Sequence, residues 1–210
     1  MNARPSTQKQ EPSDRVRLLG AALKLVREQG YDATSVDSLC GAAGVTKGAF
    51  FHHFACKEEL GVAATQFWTQ VTSQVFAEAD YHQFEDPLDQ LIGYVDFRVQ
   101  LLEGRSLAEC TCLLGTMAQE KFESSPAIRD ACFEGIHIHA TEVAKMIAAA
   151  KARHAPQASW GVDSLALYTQ SVIQGAFVLA KAKNDVALAA DMIVHLRRYI
   201  ELLFHHAKED

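Results

Sequence analysis

From Ser13 onward, apolar residues return every three or four positions, and nowhere do they alternate with polar ones at the period of two that a half-buried strand needs. That pattern confines the chain to an all-α fold. Leu18, Ala22, Leu25 and Val26 mark one face of a first helix, while Arg17, Lys24, Arg27 and Glu28 lie elsewhere. Ser13 or Asp14 can cap its start, and Gly30 supplies the left-handed residue that ends it. Thr34 offers the next N-cap, for a short helix to about Ala43 with Val36 and Leu39 inward. Gly44 suits a tight turn, and Thr46 caps a third helix whose Phe50 and Phe54 recur at i, i+4. A fourth helix is expected over residues 57–80, with Leu60, Ala64, Phe67, Val71 and Val75 as its inward stripe.

Later punctuation is sparser. Asp86-Pro87 pairs a cap with proline at the first helical position and opens a helix over 88–103. Ser125-Pro126 repeats the signature and opens a long helix to about Arg153, with one more helix over 107–123 between them. Pro156 marks a loop over 154–161. Two helices over 162–183 and 185–206, parted by Asn184, should form an antiparallel hairpin, giving about nine helices in all.

Charge divides the chain unevenly. Residues 1–57 hold eight Lys or Arg against five acids, and the remainder holds twelve against twenty-one, within a net charge of −6. A mildly basic head on an acidic body suits a head that meets a polyanion. No apolar run approaches the roughly 18 residues of a membrane span, so no membrane partner is expected. The first residues are polar and carry no apolar stretch of a secretory signal, and five scattered cysteines suit reduced thiols, so a cytoplasmic location is expected. Residues 1–12, with Pro5 and Pro12, read as a flexible arm.

The second and third helices read as a helix-turn-helix, in which the N-terminal part of the second lies in the major groove. With Phe50 and Phe54 packed inward, the opposite face shows Thr46, Lys47, Gly48, Ala49, Phe51, His52 and His53. Small residues at 48 and 49 permit close approach, and Lys47, His52 and His53 can donate to phosphates or base acceptors. Lys57 suits a backbone phosphate, and Thr34 and Ser35 place hydroxyls and free amides where an anion is favoured.

The runs Gly30-Tyr31-Asp32-Ala33-Thr34-Ser35-Val36, then Ala42 to Phe54, then Lys57-Glu58-Glu59-Leu60, closely resemble the tetracycline-repressor (TetR) family of transcriptional regulators over residues 13–62. The resemblance implies a DNA-binding head at 13–57, a helical ligand-binding and dimerisation body at 58–210, and a homodimer that represses at a palindromic operator until a small molecule releases it. Carried over by motif position, DNA contacts fall on Thr34, Ser35, Thr46, Lys47, Gly48, Ala49, Phe51, His52, His53 and Lys57. Phe51 stands where tyrosine is frequent in the family, and Cys40 where a small aliphatic residue is.

The body is less legible. A segment from Glu109 to Glu120 looks like one found in members that answer varied small molecules, some of them electrophiles through a cysteine, so a thiol-based redox sensor at Cys110 or Cys112 is the alternative reading. Two residues apart on one helix, Cys110 and Cys112 would point to opposite faces, as would His137 and His139, so neither pair forms a metal site. Phe97, Cys112, Met117, His137 and Tyr168 are the residues expected to line a ligand pocket. No catalytic spacing, phosphate loop or metal motif is present, so neither enzymatic activity nor a cofactor is expected. The last two helices carry apolar or small residues on more than one face, among them Ser171, Gly175, Tyr199 and Leu202, which suggests an intermolecular four-helix bundle.

Overall fold

A computed structural model describes residues 12–206. The arm expected over 1–12 falls, apart from Pro12, outside the described residues. Among those residues there are ten α-helices and no strand: α1 (Asp14–Gln29), α2 (Val36–Ala43), α3 (Lys47–His53), α4 (Lys57–Ala77), α5 (Pro87–Gln100), α6 (Leu107–Cys110), α7 (Leu113–Lys121), α8 (Pro126–His154), α9 (Val162–Lys183) and α10 (Val186–His206). A short 3-10 turn, Asp80–Gln83, joins α4 to α5.

The head follows its caps. Ser13 accepts from the Val16 amide, Thr46 accepts from the Ala49 amide, and Gly44 turns in the left-handed region at φ 64°. The cap of α2 is Ser35 rather than Thr34. Thr34 is 1% exposed, and its hydroxyl donates to the Gly30 carbonyl at 2.7 Å, so the loop swallows the first hydroxyl and leaves the second to cap.

Two expectations for the body change. The helix expected over 107–123 breaks at Thr111 and Cys112, giving α6 and α7 and raising the count from nine to ten. Ser106 opens α6 with a capping box to Glu109, while Thr111, which ends it, is extended and fully buried. Helix α4 stops at Ala77 instead of reaching residue 80, and Val71 and Val75 on its expected inward stripe are about 40% exposed, at 39% and 41%.

Two apolar cores result. A proximal core joins α1, α2, α3 and the start of α4 to Leu113, Leu114 and Met117 of α7 and Ile128 and Cys132 of α8. A distal core joins the end of α4 and α5 to the second half of α8, α9 and α10, with Tyr94, Ile193 and Ile200 fully buried. Helix α8, 29 residues long, enters both.

Candidate nucleic-acid interface and effector cavity

Helix α3 is anchored from beneath and open above. Phe50 and Phe54 are 0% and 2% exposed, and their rings pack with centroids 5.9 Å apart. The turn before it is pinned by Gly44, whose amide returns to Cys40 and Gly41 carbonyls. This geometry leaves Thr46, Lys47 and Gly48 exposed at the start of α3, with Ala49 half-buried behind them. Phe51 stands out at 56% exposure, edge-on to Phe50, and His52 and His53 follow with rings 5.0 Å apart.

The charged groups are restrained. Lys47 Nζ lies 2.7 Å from Asp37 across the turn, which holds its ammonium above its ordinary value. Lys57 is half-buried, with Nζ 4.3 Å from the centre of the Tyr31 ring and 3.5 Å from the Asp32 carbonyl; burial depresses its ammonium. Ser35 is exposed at the cap of α2, whereas Thr34 presents no free hydroxyl. The other nine residues expected at DNA thus share the surface around α3 or border it.

A cavity of about 460 Å³ lies at the seam of the two cores. Leu23 and Leu114 reach it from the proximal core, and Phe76 and Phe177 from the distal one. Helix α4 forms one wall with Trp68, Val71, Thr72, Val75 and Phe76, which is why its stripe is open at 71 and 75. Of the five residues expected in a pocket, Cys112 lines this cavity. Phe97 packs behind it against Phe76 with centroids 5.5 Å apart. Met117 is 0% exposed in the proximal core, His137 is exposed and stacked on Phe133, and Tyr168 is 44% exposed on the outside of α9. Helical spacing says which residues share a face but not which face meets a void.

Because the helix breaks between them, Cys110 and Cys112 do not take opposite faces of one helix; both border the cavity. The histidines do separate as expected, with His139 turned inward and His137 outward. Arg98 and His139 were missed, although a signal for them exists. Arg98 continues the buried series Leu91, Tyr94 and Val95 of α5, and His139 sits between Cys132 and Val143 on the buried stripe of α8. A polar residue on an apolar stripe points inward.

Head and body are also joined away from α4. Glu120 of α7 accepts the amides of Tyr31 and Asp32 at 3.1 and 2.9 Å, and Lys121 pairs with Asp32 at 2.8 Å. Gly30 is required here, because its φ is 92° and a Cβ would lie 2.7 Å from the Glu120 carboxylate. Arg27 of α1 donates to the Glu109 carbonyl at 2.8 Å, and Ser125 donates to Glu58.

A capped two-helix unit with an inward aromatic anchor and an open second helix defines a helix-turn-helix protein. The family of bacterial regulatory proteins, tetR family, matches residues 18–64. The chain is 51% identical over 43 residues to the TetC protein of transposon Tn10 from Escherichia coli, covering 20% of this chain and 22% of that one. It is 29% identical over 117 residues to the regulator AcrR of Shigella flexneri, covering 56% and 53% respectively. It thus spans about half the length, or less, of these curated relatives. The solved structure of regulatory protein TetR from Rhodobacter sphaeroides superposes with a TM-score of 0.78 at 23% identity, covering 88% of this chain and 97% of that one, and so shares the fold. Residues 18–64 thus carry the DNA-binding head of the tetR family, and together with the shared fold this supports a TetR-family DNA-binding transcriptional regulator. That family and these relatives are regulators rather than enzymes. Among the described residues no helix is long and apolar enough to cross a membrane.

Proposed function

We propose that the chain is a repressor that binds a palindromic operator as a homodimer through α3, and that a small molecule in the seam cavity releases it. The observation carrying this reading is that one helix serves both ends. Helix α4 begins with Lys57 beside the recognition surface and forms a cavity wall through Phe76, roughly 30 Å along its axis. A ligand that favours another placement of α4 changes the spacing of the two heads, and only such differential binding can release DNA. The Glu120 latch is a second link, since α7 shares Cys112 and Leu114 with the same cavity. In this reading the DNA contacts are Ser35, Thr46, Lys47, Gly48, Ala49, Phe51, His52, His53 and Lys57, and the protein works in the cytoplasm, where the operator is.

A dimer is supported by the outer face of α9 and α10. Tyr168, Leu179, Tyr199 and Leu202 are 44%, 49%, 40% and 55% exposed, with Ser171 and Gly175 between them. Helix-turn-helix heads reach specific affinity in pairs. Thiol sensing is the weaker reading: Cys110 borders the cavity, but burial pushes its thiol up, and the thiolate is the reactive form.

The experiment is selection of bound sequences from random duplex DNA, followed by salt titration of wild type and Lys47→Ala on the selected site. We expect an inverted repeat, a dimer by sedimentation, and a salt slope lower by about one in the variant. A single half-site bound by a monomer overturns the proposal, and an unchanged slope removes Lys47 from the phosphate contacts.

A further inference from the structure

Most of the cavity wall suits an apolar ligand, through Trp68, Val71, Val75, Phe76, Leu101 and Phe177. Its charges do not fit a neutral one. Arg27, Arg98 and Arg105 border the space against one carboxylate, Glu109, and that carboxylate already accepts both the amide and the hydroxyl of Ser106, at 2.9 and 2.7 Å.

Arg98 is half-buried and is the one of the three that lies on α5. It leaves α5 on the buried stripe, and its guanidinium carbon lies 4.2 Å from the centre of the Phe76 ring and 5.3 Å from that of Tyr94. Nε donates to the Tyr94 hydroxyl at 3.1 Å and Nη2 to His139 Nε2. Nη1 has no partner among the described residues, and no carboxylate among them pairs with the group. His139 cannot share a charge with it: burial, then the neighbouring Arg98, holds the imidazole well below its ordinary value, so it stays neutral and accepts. A guanidinium set on aromatic faces, oriented by the Tyr94 hydroxyl and the neutral His139, with one nitrogen unpartnered and bordering a cavity, is a charge that no carboxylate among the described residues neutralises. Its planar fork matches a carboxylate.

We propose that Arg98 is the anion receptor of this cavity and that the effector is a small carboxylate with an apolar or aromatic body, its carboxylate on the Arg98 edge and its body against Phe76, Trp68 and Phe177. This rests on the cavity being the effector site. It also gives the aromatic wall a directional role, because the ligand's orientation is set at one end.

The test is calorimetric binding of matched acids and amides to the full chain without DNA: benzoate and benzamide, cinnamate and cinnamamide, octanoate and octanamide. At least one acid should bind about tenfold more tightly than its amide, as expected for a hydrogen-bonded charge pair. Arg98→Gln should remove that preference while leaving the amide's affinity within about twofold, and Arg98→Lys should restore part of it. The comparison of acid with amide on the wild-type chain stands even where a variant fails to fold. Equal binding of acids and amides, or an acid affinity untouched by Arg98→Gln in a folded variant, overturns the assignment. If amides bind and release operator DNA while acids do not, the effector reading stands and the anion receptor falls. If neither series binds, both fall.

Discussion

The proximal and distal cores differ in what makes them hold. The proximal core is assembled from short helices, α2 and α3 of 8 and 7 residues beside α1 of 16, each started by a side-chain cap at Ser13, Ser35 or Thr46. Helices this short are marginal alone, so the head depends on burial against partners far along the chain. Leu113, Met117 and Ile128 supply part of that burial from α7 and α8. The distal core instead packs long helices, α8, α9 and α10 of 29, 22 and 21 residues, and α9 begins at Gly161 with no side-chain cap. Long helices tolerate a missing cap because packing along many turns sustains them. The difference implies that disturbing α7 reaches the head before it reaches the hairpin of α9 and α10.

The largest effect that tests this contrast is Met117→Ala. The side chain is fully buried in the proximal core, and its removal should cost about 2–5 kcal/mol. Amide exchange should then quicken in α1 and α7 while amides near Ile193 and Ile200 keep their protection. Equal quickening in both regions would show one cooperative core and erase the distinction.

The same contrast explains what could be read before the fold was known. In the head, capping and turn chemistry are local, so Ser13, Gly30, Gly44, Thr46 and the inward Phe50 and Phe54 all emerge from neighbouring residues. The choice between Thr34 and Ser35 did not, because it depends on which hydroxyl the Gly30 loop encloses. In the body, the break at Thr111 has no proline or glycine to announce it; Thr111 is drawn into the interior by packing. The cavity is a property of how two cores meet, and spacing along one helix carries no record of it. Arg98 and His139 were visible only as polar interruptions of apolar stripes.

A smaller effect belongs to Glu120→Gln. The carboxylate accepts two amides of the loop between α1 and α2, and weakening those charged hydrogen bonds should cost about 1–3 kcal/mol. The contrast gains detail if the loss is confined to the head: exchange at Tyr31 and Asp32 should quicken, and operator affinity should become less sensitive to cavity ligands. Unchanged exchange at both amides would mean that α7 holds the head through apolar packing alone.

The smallest effect lies in the distal region, at the junction of α5 and the end of α8. Asp86 accepts the Leu88 amide at 2.8 Å, faces His154 Nε2 at 2.8 and 2.9 Å, and lies 3.5 Å from Arg153. Partial burial raises its carboxyl, but the Leu88 amide, then His154 and Arg153, outweigh that and hold it below its ordinary 3.8. A carboxyl whose folded value is depressed adds stability above its unfolded value of about 3.9 and loses it as pH falls through the lower folded value. Asp86→Asn keeps an N-cap acceptor and removes the charge, so the variant should be less stable than wild type at pH 7. The gap in urea midpoint should hold down to about pH 4 and close as the wild-type carboxyl takes up its proton below that. A gap that persists undiminished at pH 3 would assign the effect to cap geometry, leaving the charge of Asp86 without a part in joining α5 to α8.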